Sequence, residues 1–132
     1  MEKFEVYDRK LKRSDPHPLV TLQASGAFSM NERAFELLGH PDQIELLFNA
    51  EGEQVGFHAA SEDSPYGYPI REQPNSKNFQ TAGRGFCRHH GIQTGQARRF
   101  AAELHDDVLV IGLERPEHVL AGRRGTQGGG GE

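Results

Sequence analysis

The 132-residue chain has no tryptophan, two methionines and a single cysteine, Cys87. One cysteine excludes an intramolecular disulfide, so no covalent staple holds the fold, and it fits a reducing compartment. No apolar run approaches the ~20 residues needed to cross a bilayer. The opening MEKFEVYDRK also lacks the apolar stretch of a secretion signal. These absences predict a soluble, cytoplasmic protein with no membrane partner. Metal motifs are missing too: neither HExxH nor CxxC occurs, and His17, His40, His58, His89, His90, His105 and His118 follow no tight ligand spacing. The late GTQGGGG has the glycines of a phosphate loop without a strand before it or Lys-Ser/Thr after it. No catalytic residue, metal or cofactor is expected.

Apolar residues make up 35% of the chain, so the core must be small, with eight phenylalanines and regularly spaced aliphatics to fill it. This length predicts one domain, residues 1–116. FEVY (Phe4 to Tyr7) alternates as a strand does and LVTL (Leu19 to Leu22) reads as a second strand; Ser25-Gly26 marks a turn before AFSM, where Phe28 and Met30 share a face. Asn31 is placed to cap a short helix, whose Ala34, Leu37 and Leu38 form an apolar face beside Phe35 and whose end is set by Gly39. Ile44, Leu46 and Phe48, then Val55 and Phe57, read as a hairpin turning at Glu51-Gly52.

From Tyr68 the order repeats: extended YPIR, a polar turn, extended FQTA, helix-like GRGFCRHHG, and a hairpin of ARRFAAEL and VLVIGL around His105-Asp106-Asp107. Two half-repeats, about 17–60 and 68–114, are therefore expected to build the domain. SEDSPYGYP separates them. VLVIGL, apolar on both faces, reads as a central strand covered on both sides. Residues 117–132, rich in glycine, read as a flexible tail.

The first half, LVTLQASGAFSMNERAFELLGHPDQIELLFNAEGEQVGFHAA, resembles the AbrB/SpoVT/MazE swapped-hairpin family, with Gly26, Phe28, Met30, Ala34, Leu38, Gly39, Ile44, Leu46, Gly52 and Val55 in matching places. Residues 68–114 match more loosely. The resemblance implies a mostly β protein with two short helices, a pseudo-two-fold swapped-hairpin β-barrel in which one chain carries both halves. It also implies DNA binding of a transcription-regulator kind. Where the family often has Arg after the Gly turn, this chain has Ala27; Asn31 replaces a Pro, and the basic helix position is Phe35 in the first half and Cys87 in the second.

Charge is divided unevenly. Residues 24–70 hold eight acidic side chains against Arg33 alone, a net of -7, whereas residues 71–100 hold six basic ones against Glu72, a net of +5. Arg71, Lys77, Arg84, Arg88, His89, Arg98 and Arg99 are the candidate nucleic-acid contacts, for DNA ahead of RNA. Arg84 and Arg88, at i and i+4, would project together from a helix, and such a surface gains affinity for phosphates by counterion release. The other reading is a solvated face, or a basic half that docks on an acidic half of the same or another copy. An antitoxin-like adaptor, using the acidic first half on a protein partner or in a homodimer, is the alternative function. A third reading, a small nuclease, rests on Asp106-Asp107 and Glu51/Glu53, acidic pairs that are also routine turn formers. Cys87, beside Arg88 and His89, has the neighbours of a nucleophile but reads as a buried apolar residue, because adjacent helix positions do not face one another.

Overall fold

The computed structural model describes residues 17–74, 76–116 and 118–120, the last three through their backbone pairing. The FEVY strand expectation and the end of the tail, 121–132, lie outside these residues. The chain runs β1 (Leu19–Leu22), β2 (Phe28–Met30), α1 (Glu32–Leu37), β3 (Gln43–Asn49) and β4 (Gln54–Ala59). It continues through β5 (Tyr68–Glu72), β6 (Phe79–Thr81), α2 (Arg84–His90), β7 (Ala97–His105), β8 (Val108–Gly112) and β9 (His118–Leu120). The fold is mostly β, as the sequence predicts, and eight of the strands close into an antiparallel barrel.

Around the ring the order is β1-β2-β6-β5-β3-β4-β8-β7, and β7 pairs back onto β1. Strand pairs from the first and second halves of the sequence therefore alternate. Exchanging β1 to β4 for β5 to β8 leaves the pairing scheme unchanged, with β2–β6 and β4–β8 as the two self-matching seams. Closure gives every strand of the ring a neighbour on both sides, and an eight-stranded barrel encloses just enough space for side chains to fill.

They do fill it. Val20, Leu22, Phe28, Met30, Ile44, Val55, Phe57, Phe100, Leu109 and Ile111 are all buried to 1% exposure or less. Phe28 meets Phe57 edge-on at 5.1 Å between ring centres. Each such side chain stabilises the fold by roughly 1.5–3 kcal/mol on burial, so the barrel interior is the main source of stability. Ile44 and Phe57 line this interior from the predicted hairpin, with Leu46 and Phe48 half-buried along the same face of β3.

Local signals set the connections. The Asn31 side chain accepts from the N–H of Ala34 at 2.9 Å, capping α1 as expected, and from that of Leu19 at 3.1 Å. Its amide donates to the carbonyl of His17 at 2.8 Å, tying the helix start to the head of β1. Gly39 follows α1 at φ 85°, and Gly91 closes α2 at φ 69°. In the β3–β4 turn Glu53 is left-handed, at φ 51°.

Two expectations are corrected. VLVIGL is not covered on both sides: Leu109 and Ile111 point into the barrel, while Val108 and Val110 lie half-buried on its outer wall. The segment read as a tail begins with a strand, since β9 pairs with residues 97–99 of β7. The reason is geometric. β8 covers only residues 102–105 of β7, which leaves the earlier part of that edge open for His118-Val119-Leu120.

Candidate nucleic-acid interface

The placement of the basic side chains begins with two glycines. A Cβ on Gly83 would stand 2.6 Å from the Gly26 carbonyl oxygen and 2.6 Å from the Phe28 ring, and a Cβ on Gly26, at φ 99°, would stand 2.9 Å from Arg84 Cα. Bare backbone at both positions lets α2 start directly on the β1–β2 turn. From there Phe86 and Cys87 point inward, Phe86 edge-on to Phe28 at 6.2 Å. Arg84, Arg88 and His89 are left exposed, with the two arginines one helical turn apart.

β5 and β6 carry the adjoining surface. Ile70 faces the barrel interior, so Arg71 faces out, and its cross-strand partner is Gln80. Gln80 in turn pairs with Ser29 of β2. Arg71, Gln80 and Arg84 line one groove of about 370 Å³, together with Ser25, Ala27 and Ala82. Thr81, also in the lining, is nearly fully buried, and its hydroxyl is satisfied by donating to the Pro69 carbonyl at 2.9 Å.

The structure thus brings Arg71 and Arg84 together and extends the charge along α2 to Arg88 and His89. It does not gather the rest. Lys77 is exposed on the β5–β6 loop and takes no part in the groove lining. Arg98 and Arg99 are successive strand residues and point to opposite faces. Arg98 shares the inward face with Phe100, donates to the Gln93 carbonyl at 2.6 Å and lies 5.6 Å over the Phe100 ring. Arg99 faces outward and is half-buried.

Among the described residues the ion pairs are Arg33–Glu36 at 3.3 Å, His58–Glu45 at 3.8 Å and His105–Glu103 at 3.2 Å. None uses Arg71, Lys77, Arg84, Arg88, Arg98 or Arg99. Within the described chain, then, no carboxylate pairs with these six basic residues.

Cys87 is 1% exposed and sits 3.9 Å from the Gly26 carbonyl. Burial pushes its thiol above the ordinary range, only partly opposed by the positive charge of Arg98. That is the opposite of an activated nucleophile. His90 is packed against Phe48 at 4.4 Å and Phe86 at 4.7 Å, with His89 also at 4.7 Å. Burial first, and the neighbouring His89 second, hold its imidazole below the usual value.

The acidic pairs do not meet. The β4–β8 ladder runs from Gln54–Gly112 to His58–Val108, so Glu51/Glu53 and Asp106-Asp107 sit at its opposite ends, all exposed. Among the described residues no three His, Cys, Asp or Glu side chains group to hold a metal ion, and no helix is long and apolar enough to cross a membrane.

Gln73, Gln80 and Gly83 belong to this surface and were not singled out by sequence. The alternation of Phe79, Gln80 and Thr81 signals that Gln80 faces away from the core, but its position beside Arg71 depends on register. Comparison with protein-family models, with curated proteins and with solved structures finds no match to this chain.

Proposed function

We propose that this is a nucleic-acid-binding protein of a transcription-regulator kind, favouring DNA over RNA, that grips phosphates through the basic surface of its second half. One observation carries the reading: Arg71, Arg84 and Arg88 are exposed on adjoining elements, and no carboxylate among the described residues neutralises them. Arginine presents a planar fork of donors that matches a phosphate, and each phosphate neutralised releases counterions, which supplies affinity without requiring a deep pocket. The alternating order of strand pairs around the barrel supports membership of the AbrB/SpoVT/MazE-like group in a tandem arrangement. The charge lies elsewhere than in that pattern: its basic helix position is filled here by Phe35 and Cys87, both buried.

A mobility-shift assay with labelled duplex DNA and with RNA, at about 50 and about 200 mM salt, tests the reading. Retention of DNA at the lower salt and its loss at the higher is the expected result. Retention of neither nucleic acid at the lower salt removes the proposal in favour of a protein-binding adaptor.

A further inference from the structure

We infer that the groove between β5, β6 and the β1–β2 turn seats one nucleotide unit, its phosphate held between Arg71 and Arg84. This deepens the phosphate-binding reading and rests on it. The volume, about 370 Å³, falls at the small end of ligand clefts, which run from ~300 to ~1,000 Å³, so the groove suits one nucleotide rather than a length of duplex.

Its chemistry is divided in the same way as a nucleotide's. Two guanidinium groups come from different elements, Arg71 from β5 and Arg84 from α2, and neither has a carboxylate partner among the described residues. Gln80 stands beside Arg71 as its cross-strand neighbour, and Gln73 lies along the same lining. A glutamine amide both donates and accepts, which is what the edge of a base requires. Several of the lining residues are small, Ala27, Ala82 and Gly83 among them. No aromatic ring lines the groove, so the base would be read by its polar edge rather than by stacking. The close meeting of Gly26 and Gly83 fixes Arg84 at this place, since it anchors the start of α2 on the turn that forms one wall.

The nucleotide could belong to a nucleic-acid strand or be free, and the experiment separates the two. Fluorescence anisotropy with a labelled single-stranded dT oligonucleotide is measured for the wild type and for Ala82→Leu, which fills the groove without changing charge. Arg71→Gln and, outside the groove, Arg88→Gln complete the set, with circular dichroism confirming that each is folded. Ala82 is exposed, so its replacement leaves the core intact. We expect Ala82→Leu and Arg71→Gln each to weaken binding about tenfold or more, and Arg88→Gln to weaken it less. If both groove variants bind as the wild type does, the groove inference is overturned while phosphate binding stands. If the wild type retains no oligonucleotide, the nucleic-acid reading falls and the groove is judged by thymidine monophosphate alone. Backbone shifts at Arg71, Gln80 and Arg84 on its addition then support a free-nucleotide site, and their absence overturns the inference.

Discussion

Gly26 and Gly83 approach so closely that a methyl group on Gly83 would stand 2.6 Å from the Gly26 carbonyl oxygen. This contact joins the first half's turn to the second half's helix. Gly83→Ala should therefore cost about 1–3 kcal/mol, as overpacking does. Gly85, one residue inside α2, has nothing within 4 Å of its missing Cβ, so Gly85→Ala should raise stability by roughly 0.5–1 kcal/mol. Urea unfolding of the two variants checks the pair; equal effects would show that space around the glycine is not what decides.

Asn31 serves two elements with one side chain, accepting from Ala34 and Leu19 and donating to His17. Asn31→Ala is expected to lose about 1–2 kcal/mol, the upper range for a cap, because two backbone N–H groups lose their acceptor. Asn31→Asp keeps the acceptor and should cost less. Thermal melts of both variants measure the difference.

Phe35 of α1 stacks on Phe79 of β6, ring centres 3.9 Å apart and planes 8° from parallel. The contact again links the two halves. Phe35→Ala should destabilise by about 3 kcal/mol, and a double-mutant cycle with Phe79→Ala should return a coupling of roughly 0.5–1.5 kcal/mol. Chemical denaturation of the four proteins gives the number.

The lowered pKa of His90 makes a prediction about acid. Burial against Phe48 and Phe86, then the charge of His89, disfavours its imidazolium in the folded protein. As pH falls below the ordinary histidine value of 6.5, the unfolded chain takes up this proton first. The stability that His90 contributes is thus present above that pH and lost as pH drops toward the folded value. Unfolding free energies measured at about pH 7 and about pH 5.5 should differ in this direction, and His90→Gln should reduce the difference.

Much of the barrel is legible in the sequence because its signals are local. Alternation marks Phe28/Met30, Ile44/Leu46/Phe48 and Val55/Phe57 as inward-facing, Asn31 announces the start of α1, and Gly39 and Gly91 mark where α1 and α2 end. Signals that depend on neighbours in space were misread. Val108 and Val110 suggest a strand covered on both sides, yet a barrel wall has only one packed face and leaves them half-buried outside.

The candidate site follows the same division. That Arg84 and Arg88 share a helical face can be read from their spacing. That Arg98 and Arg99 cannot share one follows from strand alternation, and Phe100 at the next inward position gives the side of each. What no pattern reveals is the register of β5 on β6 that sets Arg71 beside Gln80. Nor could it reveal the closeness of two glycines 57 positions apart in the sequence, Gly26 and Gly83, that carries Arg84 to the same groove.

The central claim is that exposed, unneutralised arginines of the second half bind phosphate. Its most direct test is the slope of log affinity against log salt for a DNA oligonucleotide, measured for the wild type and for the combined Arg84→Glu, Arg88→Glu variant. We expect the variant to bind more weakly at every salt concentration and its slope to flatten by about 2, roughly one for each lost phosphate contact. An unchanged slope would take both arginines out of the interface and contradict the account.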